Sequence, residues 1–269
     1  MSDPGKYDVG KMSDIRVMIA EACEQSKYYN HIYGLVEVDV TKGREFIRKH
    51  EEKTGEKLSF TAWVMKCIAQ AVSEFKILQT FRKGRYGRKT ITFHDVDVKC
   101  MIEKEVDGEK TAIAYIIRKA NEKSYLDIHN EIRTAQSHDK DQRKKEQKIK
   151  RQQKLLLKLP RFIRQFFWRR IMNHPVLIKK HLGTIGLTSM GMFGKQLKGW
   201  TLPKTAHSTT FALNSISKEE VINDNNEKEI REILKLTIVV NHDVVDGAPA
   251  VRFVARLNEL LKNGFGLPE

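Results

Sequence analysis

The chain has 269 residues, 40% apolar and 31% charged, which is enough to bury the core of one large domain or two small ones. No run approaches the roughly 20 apolar residues of a membrane-spanning helix, and the opening "MSDPGKYDVGK" lacks the apolar centre of a secretory signal. The net charge of +15 would indicate a polyanionic partner for the whole fold, but residues 140–180 alone hold 15 Lys and Arg against Asp141 and Glu146, so the excess belongs to one segment.

In chain order, residues 13–26 carry Ile15, Met18, Ile19 and Ala20 at helical spacing and predict a helix. "LVEVDV" (35–40) alternates, with Val36, Val38 and Val40 on one face, and predicts a half-buried strand. Thr41 is placed to cap a charged helix that ends near Gly55. "SFTAWVMKCIAQAVSEF" (59–75), apolar over most of its circumference and capped by Ser59, predicts the central buried helix. "TITFHDVDVKCMIE" (90–103) and "TAIAYIIR" (111–118), joined by a turn at "DGE" (107–109), predict a hairpin. "SYLDIHNEIRTA" (124–135) predicts a further helix.

Next comes the basic segment. "KDQRKKEQKIKRQQKLLLK" (140–158) reads as a long charged helix, and Pro160 opens a second one, "PRFIRQFFWRRIMNH". There Phe162, Ile163, Phe166, Phe167 and Ile171 recur at helical spacing, interleaved with Arg161, Arg164, Arg169 and Arg170. Four uses fit. The apolar face packs on the protein's own core or on a neighbouring copy, which is the commonest use of an amphipathic helix. Membrane or phosphate contact by the four arginines comes second, to an anionic lipid surface or to the phosphates of coenzyme A. Nucleic acid comes last, because charge alone speaks for it.

Beyond it, "GTIGLTSMGMFG" (183–194), "STTFALNSIS" (208–217) and "EILKLTIVVNH" (232–242) predict strands, the last two joined at "NDNNE" (223–227). A final helix starts near Pro249, buries Val251, Val254, Leu257, Leu260 and Leu261, and ends before Gly264. Strands and helices mix without regular βαβ alternation, so an α+β layer fold is expected. Cys23, Cys67 and Cys100 lie in apolar segments and read as reduced core thiols of a cytoplasmic protein. No Cys/His spacing fits zinc, and no metal is expected.

The stretch with most chemical content is "TIVVNHDVVDGAPAVRF" (237–253). An apolar strand stops on Asn241 and His242, and Asp246 and Gly247 follow four and five residues after the histidine. An imidazole titrates near neutrality and can take and return a proton, provided that its orientation and tautomer are held. Asn241 and Gly247 would shape the turn, Gly247 by permitting tight geometry where the helix departs. An ordinary loop histidine, with Asp246 as a helix cap, fits the six residues equally well.

The wider pattern resembles the chloramphenicol acetyltransferase-like superfamily, and within it the catalytic domain of the dihydrolipoamide acyltransferases of 2-oxoacid dehydrogenase complexes. The segments "KMSDIRVMIAEACEQS", "VEVDVT", "KLSFTAWVMKCIAQAVSEF", "FHDVDVKCMIEKEVDGEKTAIAYIIRKANEKSYLDIHNEI", "GTIGLTSMGMFG" and "VVNHDVVDGAPAVRFVARLNELL" are similar to that domain's elements in the same order. The resemblance implies one catalytic domain over 1–269, a mixed sheet with flanking helices; residues 138–181, an inserted basic helical segment, are the largest departure from it. It implies coenzyme A-dependent acyl transfer to a thiol, hydroxyl or amine. His242 would be the general base, and Thr188, with Ser189 beside it, would be the hydroxyl that stabilises the oxyanion; read alone, both are ordinary strand residues. Asp246 would shape the turn through an ion pair. The site would lie between subunits of a homotrimer, histidine of one facing hydroxyl of the next.

The chain also departs from that family. Nothing in it resembles a lipoyl domain or an Ala/Pro-rich linker, so a lipoyl group, if used, is expected on another protein. Asn241 and Asp243 stand where the family carries aspartate and arginine around the histidine, and this puts the acyl donor and acceptor in question more than the fold. The alternative is a non-catalytic trimeric scaffold or membrane-docking relative of the same fold, peripheral at the membrane surface.

Overall fold

The computed structural model describes residues 5–84, 86–106, 109–137, 151, 155–189, 199–222 and 226–268. The expected turns at 107–109 and 223–227 and the helix at 140–158 fall largely outside them.

The strands are β1 (His31–Asp39), β2 (Thr80–Arg82), β3 (Thr90–Thr92), β4 (Val98–Val106), β5 (Glu109–Ile117), β6 (Ile185–Ser189), β7 (Thr209–Ile222) and β8 (Lys228–Asn241). The helices are α1 (Asp14–Glu24), α2 (Thr41–Thr54), α3 (Phe60–Glu74), α4 (Tyr125–Gln136), α5 (Arg161–Met172), α6 (Pro175–Leu182) and α7 (Gly247–Lys262). Six strands form one mixed sheet in the order β1-β8-β7-β6-β4-β5. Its two pairings through β6 are parallel and the other three antiparallel.

Alternation decides which residues of this sheet face the helices. Val38, Leu236, Ile238, Phe211, Leu213, Ile185, Leu187, Val98 and Cys100 all enter one core cluster, under α3, α4 and α7. The centre of α3 is sealed: Trp63, Val64, Met65 and Ile68 are buried, and Ser59 caps the helix by accepting from Ala62 N. The three cysteines are free, and burial pushes the Cys67 and Cys100 thiols up to about 12. Among the described residues, no helix is long and apolar enough to cross a membrane.

Several local expectations change. Thr41 is the first residue of α2, not its cap; the Asp39 carboxylate accepts from both Thr41 N (2.9 Å) and Thr41 Oγ1 (2.6 Å). The run 90–103 is two strands, because β3 pairs with β2 in a separate small sheet and β4 begins only at Val98. Between them the buried Asp97 anchors the chain, taking Arg118 Nη1 at 2.8 Å, Lys119 N at 3.0 Å and Lys179 Nζ at 3.3 Å. In α7 the buried stripe is Phe253, Leu257, Leu260 and Leu261, while Val251 is 69% exposed. At 100° per residue Val251 lies roughly 160° round the helix from Phe253, which takes the core position.

The second half of the basic segment folds onto the protein as α5 and α6. Trp168, Ile171 and Met172 of α5 join Phe81, Ile178 and Leu182 in a small second core beside β2 and β3. Gly183, at φ +78°, turns the chain from α6 into β6; a Cβ there would lie 2.7 Å from the Asp97 carbonyl.

Candidate active site

The site is built where β8 ends. Its last residue, Asn241, is buried, and its side-chain oxygen accepts from Asn30 N (3.0 Å) and Asp243 N (3.3 Å). Its carbonyl accepts from Val244 N and Val245 N, which closes the turn. His242 N donates to the Asn30 carbonyl at 2.8 Å. The main chain of His242 is therefore tied to the start of β1, while its side chain stays 49% exposed. It borders an open concavity of about 600 Å³ lined by Tyr29, Asn30, His31, Ile32, His242 and Asp243.

The acidic partner of the turn is Asp243. It accepts from Asn30 Nδ2 at 2.7 Å and lies 3.8 Å from Arg82 Nη1. Asp246, expected to make a turn-shaping ion pair, is 85% exposed, makes no cap hydrogen bond to α7 and has Oδ1 3.8 Å from His242 Nδ1. That distance is too long for a hydrogen bond. Gly247 has no left-handed backbone, and a Cβ built on it meets nothing within 4 Å, so tight local geometry does not require glycine there.

Two further histidines flank the turn. His31 Nε2 donates to the His207 carbonyl (2.9 Å), and partial burial lowers its pKa. His207 is sealed: Nε2 donates to the Leu182 carbonyl (2.9 Å), so Nδ1 is left to accept from Thr205 Oγ1 (3.1 Å). Burial, and secondarily the Lys99 charge, push its pKa down to about 3.

Thr188 and Ser189 end β6, both half-buried. Leu187 faces the main core, so by alternation Thr188 points to the opposite face, where Ala212 and Thr237 are its neighbours across β7 and β8. Thr237 precedes His242 by five positions. At about 3.4 Å per residue this places Thr188 roughly 17 Å along the sheet from His242, and two strands, roughly 10 Å, across it. One chain brings His242, Asn241 and Asp246 into one turn and leaves Thr188 and Ser189 away from them.

The four arginines divide. Arg161 and Arg164 face α1: Arg161 Nη2 meets Glu24 at 2.8 Å, and Arg164 meets Glu21 through Nε (2.9 Å) and Nη2 (2.6 Å). Arg164 is thereby drawn in against α1, with a side chain 12% exposed, while that of Arg161 stays 68% exposed. Arg169 and Arg170 lie exposed in the last turn of α5. Among the described residues no group of three or more His, Cys, Asp or Glu side chains could hold a metal ion.

Sequence reasoning missed Asn30, His31, Arg82 and Asp243 as a bracket around the histidine. Only the adjacency of Asn30 and His31 at the start of β1 signals it, and Gly34 hides that by breaking the alternation.

Comparison with known proteins gives these features a context. A model of the 2-oxoacid dehydrogenase acyltransferase catalytic domain matches residues 4–154 and 180–266, leaving out the stretch that contains α5. The lipoamide acyltransferase component of the branched-chain alpha-keto acid dehydrogenase complex of Bacillus subtilis (strain 168) is 23% identical over 94% of this chain and 51% of its own length. The chain spans about half the length of the curated relatives it matches. Among solved structures, dihydrolipoamide acetyltransferase of Azotobacter vinelandii superposes with a TM-score of 0.68 at 18% identity, over 97% of this chain and 94% of that one. That work addresses the catalytic roles of a serine, a histidine and an asparagine four residues after the histidine. The cubic core of a pyruvate dehydrogenase multienzyme complex superposes with a TM-score of 0.69 at 16% identity, over 97% and 94%.

Proposed function

Because this chain belongs to the 2-oxoacid dehydrogenase acyltransferase catalytic-domain family, we propose that it moves an acyl group between coenzyme A and a thiol, hydroxyl or amine acceptor. His242 is the general base and Thr188 of a neighbouring copy the oxyanion donor. A lipoyl group carried on another protein is one acceptor of the thiol class.

The carrying observation is the contrast in placement. His242 is anchored through its main chain and open at its ring, while the hydroxyl that would complete the site lies far along the sheet of the same chain. A homotrimer in which the end of β8 of one copy meets β6 of the next supplies both. The histidine and the asparagine four residues on in the Azotobacter enzyme have the spacing of His242 and Asp246. With Nδ1 on the Asp246 side, Nε2 is the nitrogen left for substrate. It takes the proton of the attacking thiol; the thiolate adds to the thioester carbonyl; Thr188 donates to the oxyanion; the donor C–S bond breaks; and the imidazolium returns the proton to the departing thiolate. The concavity beside His242 has room for the reacting end of a thioester.

The rival reading, a trimeric scaffold without chemistry, draws on the 3.8 Å gap between His242 and Asp246, which leaves the tautomer unset within one chain. One experiment separates the two. Thiol release is followed from a panel of acyl-coenzyme A thioesters, with dihydrolipoamide, amines and alcohols as acceptors, for wild type and His242→Ala. Release that disappears in His242→Ala supports the enzyme, and release from no donor supports the scaffold. Refolding a mixture of His242→Ala and Thr188→Val chains, each inactive alone, should restore about a quarter of the sites if they are shared between copies. No recovery would place both groups in one chain and overturn the shared site.

A further inference from the structure

We propose that the outward face of α5 docks on an anionic lipid bilayer. The helix is held rigidly by its other side. Arg161 and Arg164 are paired with Glu24 and Glu21, and Gln165 Nε2 donates to Glu24 at 2.9 Å. Trp168, Ile171 and Met172 pack into the small core. What this leaves facing solvent is apolar: Phe162 is 74% exposed, Phe166 63% and Phe167 46%. At 100° per residue these rings and Arg169 and Arg170 share an arc of roughly 160°. Three exposed aromatic rings on one helix face are too many to be scattered surface residues.

Charge selects the occupant. Between Gln147 and Lys218 the sequence holds 15 Lys and Arg and no Asp or Glu. Glu21 and Glu24 of α1 are already paired with Arg164 and Arg161. Among the described residues, Arg169 and Arg170 meet no carboxylate, so the outward face presents rings and cations together. A helix lying in the plane of a membrane needs that combination: rings enter the acyl boundary, and guanidinium groups stay at the lipid phosphates. A protein partner with an acidic rim would match the charge but not the length of uniformly basic sequence around the helix.

The face is also mechanically joined to the candidate site. Asn173, which follows α5, accepts from Gly84 N through its carbonyl, and Arg82 on the same small sheet reaches Asp243 beside His242. A docked α5 would hold the His242 turn at a fixed height over the lipid, so that an acyl donor or acceptor could be lipid-borne. That consequence rests on the acyltransferase reading; the docking itself does not.

The test is sedimentation of the full chain with phosphatidylglycerol/phosphatidylcholine vesicles and with pure phosphatidylcholine vesicles, alongside thiol release with soluble acyl-coenzyme A. Binding to the anionic vesicles that weakens with salt is expected. Arg169→Glu/Arg170→Glu should lower partitioning by at least about tenfold, and Phe162→Ser/Phe166→Ser should abolish it at moderate salt while leaving soluble turnover unchanged. Should either pair fail to fold, hydrogen exchange of the unmodified chain gives the reading: residues 161–172 should gain protection on addition of anionic vesicles. The proposal is overturned by any of four results: no partitioning, equal partitioning into neutral vesicles, tighter binding to single-stranded RNA, or dissociation of the oligomer by the phenylalanine pair. The last would make the face a contact between copies.

Discussion

His207 and His242 stand at the same end of the central sheet and have opposite fates. Both ring nitrogens of His207 are occupied, by Leu182 and Thr205, and burial holds its pKa down to about 3. Among the described residues His242 is fixed through hydrogen bonds of its main chain, and its ring opens onto the concavity. A saturated, desolvated imidazole stabilises a fold by staying neutral, whereas proton transfer requires a nitrogen with no permanent partner. Residue type did not separate the two. The number of bonds already made at the ring did.

The comparison breaks most readily at the rings themselves. His242→Ala should lower kcat by about 100- to 10,000-fold, the range for losing a general base, with little change in thermal stability. His207→Ala should do the reverse. It leaves the Leu182 carbonyl and the Thr205 hydroxyl unpaired around a cavity and should cost roughly 3 kcal/mol, with turnover per folded molecule kept. Urea unfolding and thiol release on the same two variants check both, and a His207 variant that folds fully but fails to turn over would reverse the assignment.

Acid sharpens it. The folded state keeps His207 neutral down to about pH 3, while the unfolded chain takes a proton near the ordinary value of 6.5. Stability from this group is therefore complete above about pH 6.5 and falls as pH drops, by roughly 1.4 kcal/mol per pH unit. His31, lowered by burial, acts in the same direction. Unfolding free energy measured between pH 7 and 4 should lose about one proton's worth of slope in His207→Gln; an unchanged slope would mean that His207 is not sealed.

Much of this was legible because it is local. α3 follows from periodicity and from the cap Ser59, α4 from its helical pattern, and Gly55 closes α2 in the left-handed conformation. The strand that leads into His242 was legible as an apolar run that stops on polar residues. What escaped joins distant residues: Arg82 to Asp243, Asn30 to Asn241, Glu21 to Arg164. No periodicity encodes a partner more than a hundred positions away. Val251 and Phe253 show the other limit, since an apolar pattern allows neighbouring stripes and packing chooses between them.

The bracket around His242 is a weaker test of the same contrast. Asp243→Ala releases Asn30 and Arg82 and should let the turn move, lowering kcat/KM by about tenfold through loss of orientation, with the loss chiefly in kcat. Asp243→Asn keeps the acceptor for Asn30 and should recover much of it. If alanine and asparagine behave alike, the Arg82 charge matters and the hydrogen bond does not.

The smallest effect is the most informative about neighbours. Gly247 is the first residue of α7, its backbone is not left-handed, and a Cβ there would meet nothing in the chain. Gly247→Ala should therefore leave the fold intact and stabilise the isolated chain by roughly 0.5 kcal/mol, the gain expected when alanine replaces glycine in a helix. Unfolding at dilution low enough to give monomers measures that gain, and light scattering of the same variant measures assembly. Stabilised monomers with assembly retained would mean that the glycine is incidental. Stabilised monomers that no longer assemble would mean that the space beside Gly247, five residues after His242, is filled by another copy. The open side of His242 would then be where the second half of the site arrives.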